Sequence, residues 1–396
     1  MTSTGALTLG GGTFGVRGPA AGGSSQTIAS LVTTAATNST IRLTPGASGD
    51  TTLTITSNTL TTGAGSSVNF NYAAGSTVGG TLGNNYVVWS PTLTGGIIGP
   101  AYSVTDSGGT GFATTSGGNV VRLTDPGGAG LPVSVGSATD SYFVASGYST
   151  VDTTTPGSLF EALSGAVAAS NVTVDTNGLA SGANLALGTN LLTLGAGMAF
   201  SGPNPYEITG SGGGGLRAAA SAGTIYLNNG NTSTVSINAP ILANGASTLT
   251  VNGTGTTILG GANTYTGATV INGGTVRFSG SMGPSAVTIN NAAVAQIGAA
   301  TGLSSSNSVT FGANTTGSLQ LLGNNVTIGT LSANAALGSP VITNNNGGPA
   351  VADATLTINS ASNVAFAGVI QNGSGGGILS LAKTGAGTYT PTGNNT

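Results

Sequence analysis

The sequence predicts an all-β protein, and within that class a right-handed parallel β-helix with short strands and glycine or asparagine turns. Triplets of an apolar, a hydroxyl and an apolar residue recur along the chain. Asn-Gly and Gly-Gly pairs separate them, and one internal stretch is similar to the end of the chain. Frequent turns also allow a β-sandwich or a meander. Strands this short, continued over 396 residues, favour the parallel β-helix over those two folds.

Composition indicates a folded chain with few charges. Hydrophobic residues make up 38% of the sequence and charged residues only 4%, whereas disordered chains usually combine low hydrophobicity with high net charge. The net charge is −3 and the six basic residues are scattered singly, which argues against nucleic-acid binding. Cysteine and histidine are absent, so disulfides and the usual zinc sites are excluded. No apolar run is long enough to predict a membrane-spanning segment.

The triplets predict which side chains face the core. Side chains alternate between the two faces of a strand, so each triplet directs two apolar groups to one face and a hydroxyl to the other. Asn and Gly adopt left-handed backbone angles at least cost, which suits the turns between the strands. Examples lie at residues 7–9, 53–55, 172–174, 192–194, 235–237, 249–251, 287–289, 309–311, 326–328, 356–358 and 379–381.

Residues 1–135 are predicted to form a first β-solenoid segment with an irregular insert around residues 82–123. The insert contains the sole tryptophan, Trp89. Its indole is a candidate platform for a sugar ring. The alternative, which the neighbouring Tyr86 favours, is a partly buried core anchor.

Residues 136–180 are predicted to be a boundary region. Ser158 and Glu161 have the spacing of a capping box, so residues 159–163 could form a single helical turn. A loop at a strand edge is the alternative, and the sequence leaves both open.

Residues 181–396 are predicted to form a second β-solenoid segment with two repeat windows, at 249–276 and 381–396. Residues 249–264 align with residues 381–396 without a gap, and such self-similarity predicts a repeat protein. Coils of about 20 to 25 residues would give about 15 to 20 coils, and at about 4.8 Å per coil a rod of roughly 80 to 90 Å.

Tyr206 follows a segment with two prolines and precedes Glu207. It is a second candidate for contact with a glycan, and a packed turn tyrosine is the alternative.

The stretch GGANTYTGATVINGGTV at residues 260–276 resembles the autotransporter-associated β-strand repeat of long bacterial passenger domains. Val276 departs from the pattern, which has leucine there. The second window matches the lead-in of the repeat and then stops, so we expect the chain to be a piece cut inside a repeat. The residues that carry the resemblance are Gly261, Asn263, Thr264, Tyr265, Gly267, Thr269, Ile271, Gly274 and Thr275, with Lys383, Gly385, Gly387 and Thr388 in the second window.

The resemblance implies a structural or adhesive module of a large secreted or surface-displayed bacterial protein, a stalk outside the cell. It also implies export across the outer membrane through a C-terminal barrel, although residues after Leu381 show no pattern of membrane strands. The partners it implies are a glycan or another cell-surface ligand. Self-association into an extracellular fibre or sheath is an alternative, because few charges oppose association.

An enzyme acting on polysaccharide is a further alternative, because parallel β-helices include lyases and hydrolases. Such sites need acids that converge on the substrate. The nine acids are widely spaced, and the sharpest candidate pair is Asp152 with Asp175, about one coil apart. Two solvated loop carboxylates are the simpler interpretation. We therefore expect no enzyme, and no catalytic, cofactor-binding or metal-binding residues.

Overall fold

Backbone pairing in this protein is almost entirely parallel. The computed structural model describes residues 5–19, 22–35, 37–46, 49–63, 65–72, 85–107, 109–124, 129–131, 134–145, 160–313, 315–333, 338–345, 350–374, 376–393 and 395. These residues form strands, turns and bends, and none of them is helical. The parallel sheets stack as a β-solenoid of about 13 turns, which confirms the predicted all-β solenoid.

The first stack comprises the described parts of residues 5–124. Its strands are β1 Ala6–Leu9, β2 Gly12–Arg17, β3 Ser24–Ile28, β4 Ser30–Thr33, β5 Asn38–Thr44, β6 Thr51–Ile55, β7 Ser67–Tyr72, β8 Asn85–Val88, β9 Tyr102–Asp106, β10 Gly109–Ser116 and β11 Asn119–Arg122.

The second stack comprises the described parts of residues 129–395. Its strands are β12 Ala129–Gly130, β13 Val135–Val144, β14 Phe160–Ala162, β15 Val167–Asp175, β16 Asn184–Ala186, β17 Leu191–Ser201, β18 Tyr206–Thr209, β19 Gly215–Ala218, β20 Thr224–Asn229, β21 Thr234–Ile237, β22 Ile241–Leu242, β23 Thr248–Gly253, β24 Thr256–Leu259, β25 Thr269–Ile271, β26 Thr275–Phe278, β27 Val287–Ile289, β28 Val294–Ile297, β29 Ser308–Phe311, β30 Ser318–Gln320, β31 Val326–Ile328, β32 Thr330–Ala333, β33 Val341–Thr343, β34 Ala354–Asn359, β35 Val364–Phe366, β36 Val369–Gln371, β37 Leu379–Thr384 and β38 Tyr389–Pro391.

In the first stack, β2, β5, β7 and β9 form one parallel face and β3, β6 and β8 form another. An antiparallel hairpin then closes this stack. Strand β10 pairs with β9, and β11 reaches β8, so the hairpin joins the two faces. The residues predicted to be an irregular insert thus supply the last coil and this closing hairpin.

The second stack is built around two long faces. The first, called here the long sheet, runs β12, β13, β15, β17, β20, β23, β25, β27, β29 and β32, and the other runs from β14 to β36. A third face consists of β19 and β22 and, further along the chain, of β31, β34 and β37.

Apolar side chains stack in columns inside the second stack. Val251 pairs with Ile271, Ile271 with Ile289, and Ile289 with Phe311, each on the next coil. All four side chains are buried. Because each coil places its apolar residues over those of the coil before it, the core is a continuous line that needs neither charges nor disulfides.

The two stacks lie side by side and run in opposite directions. Asn38, early in the first stack, donates to the carbonyl of Asn272 at 3.0 Å. Gly95, late in the first stack, accepts from Asn171 at 3.0 Å. Advancing along the first stack therefore means moving back along the second.

This arrangement corrects the expected 15 to 20 coils in one rod, because about 13 turns are divided between two stacks. Coils of the first stack are longer than expected: Val68 pairs with Tyr102 in the next coil.

The boundary region was given two interpretations, a helical turn or a loop at a strand edge, and its described residues do not form the helical turn. Phe160–Ala162 is a strand paired with Asn184–Ala186, whereas Ser158 lies outside the described residues.

The part of the chain that is described includes no helix with the length and apolar character needed to cross a membrane.

Candidate functional site

The repeat window folds as one coil and the beginning of the next. Strands β23 and β25 are neighbours on the long sheet, with Leu249 paired to Thr269. Strands β24 and β26 are neighbours on the other long face, with Thr256 paired to Thr275. The residues between β24 and β25 make the return turn, and most of the motif lies there.

Asn263 ties three successive coils together at this turn. Its side-chain oxygen accepts from the backbone N–H of Ile241 at 3.0 Å, on the preceding coil. Its side-chain nitrogen donates to the carbonyls of Gly261 at 2.9 Å and Ser281 at 3.3 Å, the latter on the following coil. The amide is buried, so both its donor and its acceptor are used where water cannot replace them.

Two motif glycines allow the coils to approach closely. A Cβ on Gly267 would collide with the backbone carbonyls of Ala246 and Ser247 on the coil before it. Gly274 has a φ of +66°, and a Cβ there would meet the carbonyl of Gly255. Any other residue would push the coils apart at these points.

Tyr265 anchors the same turn in the core. Its hydroxyl lies 2.7 Å from the Thr269 hydroxyl, which lies 2.8 Å from that of Ser285 on the next coil. Burial raises the pKa of the Tyr265 phenol, so it remains a neutral hydrogen-bonding group. Thr264 accepts from the N–H of Ala243 at 3.2 Å, and Ile271 is buried in the core column. The motif residues therefore hold coils in register.

Residues 249–278 match the passenger-associated-transport-repeat family. The match spans strands β23 to β26 with the turn just described, and it confirms the resemblance to an autotransporter passenger repeat for this segment. No curated protein and no solved structure is a significant match to the chain. Passenger repeats of this family belong to secreted or surface-exposed proteins, which is compatible with a structural or surface role.

The second window differs from the passenger repeat in its place within the coil. Leu249 lies on the long sheet, whereas Leu381 lies on β37, which pairs with β34 on the third face. The gapless alignment therefore matches strands on different faces. Lys383 donates to the carbonyls of Ser360 at 2.9 Å and Gly385 at 3.2 Å, and also to that of Thr384. Backbone carbonyls are thus the described partners of this cation.

Gly385, Gly387 and Thr388 continue the second window around a close turn. A Cβ on Gly385 would lie 2.6 Å from the carbonyl of Ser360, and one on Gly387 would collide with Ser362. The N–H of Thr388 donates to the side chain of Asn363 at 2.8 Å. These contacts all join neighbouring coils, as in the first window.

An asparagine ladder crosses the outer face of the long sheet. Each side-chain amide donates to the one before it: Asn252 to Asn228 at 2.8 Å, Asn272 to Asn252 at 3.0 Å, and Asn290 to Asn272 at 2.8 Å. All four residues are buried. The first stack covers them, and Ser67 accepts a further hydrogen bond from Asn272 at 3.0 Å. The sequence signal of this ladder is a series of asparagines one coil apart.

Trp89 and Tyr206, the two candidates for contact with a glycan, are packed inside the protein. Trp89 is 1% exposed, its indole N–H donates to the carbonyl of Ser57 at 2.8 Å, and its ring lies 5.6 Å from that of Tyr102. Tyr206 is 3% exposed, with its ring 6.3 Å from that of Phe200. Neither presents a ring face to solvent: Trp89 is a core anchor, and Tyr206 is packed in strand β18 rather than in a turn.

The described acids make separate local contacts. Asp106 pairs with Arg122 at 3.0 Å, Asp175 accepts from the N–H of Asn177 at 3.0 Å, and Asp353 accepts from that of Ile378 at 2.7 Å. Asp152 lies outside the described residues, so its pairing with Asp175 has no geometry here. Among the residues the structure does describe, no group of three acids, histidines or cysteines is placed to hold a metal ion.

Proposed function

We propose that this chain is a stalk module of a secreted or surface-displayed protein and that it takes part in adhesive contact at the cell surface. The observation that carries the proposal is the passenger repeat at residues 249–278 built into a continuous solenoid core. A repeat that only joins coils suits a part whose task is to extend and present surfaces.

The cohesion of the solenoid supports an extracellular role. Parallel backbone ladders, apolar columns and the asparagine ladder hold the coils together, and charged residues amount to only 4% of the chain. These interactions respond little to salt, because screening acts on charges. Such a structure keeps its shape across the ionic conditions that a surface protein meets.

Localisation tests the first half of the proposal. Antibodies raised against the purified chain should label intact cells of the source organism, and external protease should remove the signal. Antibodies to a cytoplasmic protein, used in parallel, should label only permeabilised cells. Labelling that requires permeabilisation would overturn a surface role.

Attachment tests the second half. Beads coated with the chain should adhere to host or neighbouring cells more strongly than beads coated with the same mass of heat-denatured chain. Equal adhesion of the two preparations would leave the stalk role and reject the adhesive one.

We also propose that the chain is not an enzyme. The contacts of Asp106, Asp175 and Asp353 support this, because each carboxylate already has a local structural partner. Incubation with a panel of plant and bacterial polysaccharides should release no reducing ends and no unsaturated products. Release of either, abolished by Asp175→Asn, would establish the enzymatic alternative.

A further inference from the structure

A cleft of about 400 Å³ lies between the two stacks, where the first coils of the first stack overhang the long sheet. The first stack contributes the glycine run at residues 10–12 and Thr37. The long sheet contributes Thr288 and Thr310, and the turns beside them contribute Asn291 and Ala313. This volume is within the range of small-molecule sites in proteins, about 300 to 1,000 Å³.

The cleft exists because side chains are missing from both walls. On the long sheet, the asparagine ladder ends at Asn290, and the next position along it is Gly312. A Cβ at Gly312 would collide with the side-chain oxygen of Asn290. On the opposite wall, Gly12 has a φ of +87° and open space where a side chain would be. The surface is therefore recessed on both sides at the same level.

The lining offers hydrogen bonds without charge, since none of its residues is an acid or a base. Asn291 donates its side-chain N–H to the carbonyl of Asn272 at 3.0 Å, which fixes the amide. Thr310 is fixed by the Ser332 hydroxyl at 3.0 Å. Within the described part of the chain, the side-chain oxygen of Asn291 accepts no hydrogen bond. A charged ligand would lose hydration here with no opposite charge to compensate. The hydroxyls of a neutral ligand would exchange hydrogen bonds to water for hydrogen bonds to the cleft.

We propose that this cleft binds a neutral saccharide, a single sugar or the terminal part of a short glycan. Its hydroxyls would exchange hydrogen bonds with Thr288, Asn291 and the backbone of the overhanging glycines. The proposal names the ligand class for the adhesive contact proposed above and in that respect rests on it. The chemistry of the cleft stands on the residues alone.

Binding to defined sugars tests the proposal. Lactose, cellobiose, maltose and N,N′-diacetylchitobiose, with sialyllactose as a charged comparison, are titrated into the chain and followed by saturation-transfer NMR. At least one neutral disaccharide should bind with a Kd on the order of 1 mM, typical of a small uncharged site. Ala313→Trp, at an exposed position on the cleft wall, should weaken it at least about tenfold by filling the space.

Ala220→Trp is the matched control, because Ala220 is also exposed but lies outside the cleft. It should bind like the unmodified chain. Thr288→Val, which removes one hydroxyl without filling the cleft, should weaken binding about three- to tenfold. Absence of binding by every neutral sugar, binding of sialyllactose alone, or equal affinity in Ala313→Trp would overturn the proposal. Coated beads that still adhere when no disaccharide binds would reject the cleft and keep the surface role.

Discussion

The side-chain nitrogen of Asn272 lies 3.0 Å from the hydroxyl oxygen of Ser67, although 205 residues separate the two in the chain. The same amide nitrogen donates to Asn252, and its oxygen accepts from Asn290. Asn272 is thus both a member of the asparagine ladder and a contact between the two stacks. A buried amide with several partners is costly to disturb, because its loss leaves each partner unsatisfied.

Replacing this amide should therefore destabilise the protein. Asn272→Ala is expected to lower the free energy of unfolding by about 2–3 kcal/mol, since it removes the buried hydrogen bonds that Asn252, Asn290 and Ser67 make to Asn272. Urea denaturation followed by circular dichroism measures the change. Asn177→Ala, at an exposed turn, is the control and should change stability by less than about 0.5 kcal/mol. Equal effects of the two substitutions would contradict a structural role for the ladder.

A second prediction concerns the close approach of coils at the passenger repeat. Gly267→Ala should destabilise the chain by about 1–3 kcal/mol, because its Cβ meets backbone atoms that have no room to move. Gly15→Ala is the matched control: Gly15 lies in β2 with nothing within 4 Å of the added Cβ. Thermal unfolding of both variants gives the comparison. An unchanged melting temperature for Gly267→Ala would show that coil spacing here is adjustable.

Alternation along single strands made much of the fold predictable. The triplet at residues 287–289 is strand β27, with Val287 and Ile289 buried and Thr288 between them on the outer face. A period of two needs only neighbouring residues, so it is readable from the sequence without knowledge of any contact. The same holds for the turn at Asn272, where an Asn-Gly pair follows β25.

The pairing of the two stacks was not predictable in the same way. It depends on contacts such as Asn38 with Asn272, which no local pattern encodes. The asparagine ladder had a signal, but the spacing of its members is 24, then 20, then 18 residues, so no fixed period reveals it. The hairpin of β10 and β11 escaped recognition because its strands pair antiparallel, unlike the coils before them.

A third prediction is a loss of stability at high pH. Burial raises the pKa of the Tyr226 phenol from 10.0 to about 12. The folded protein then keeps a proton that the unfolded chain releases, so stability is unaffected below pH 10 and falls between pH 10 and pH 12. Tyr226→Phe should reduce this fall by about 1–2 kcal/mol at its upper end. Urea midpoints measured across the range test it, and below pH 10 both proteins should show the same pH dependence. Identical curves above that pH would contradict the assignment.

The fourth prediction addresses the contact between the two stacks in solution. The sequence has no cysteine, so a pair introduced by substitution reacts without background. Ser67→Cys combined with Asn272→Cys should form a disulfide when the chain is folded in a glutathione redox buffer, because the native side chains are buried in hydrogen-bond contact. The linked chain should migrate faster than the unlinked chain on a denaturing gel.

Ser67→Cys combined with Asn177→Cys is the control. It should not be linked, since Asn177 lies at an exposed turn several coils from Asn272. Linking of the control pair, or of neither pair, would show that the first stack does not rest on the asparagine ladder. Linking of the first pair alone would place the two stacks side by side, because no single rod brings residues 205 positions apart into contact.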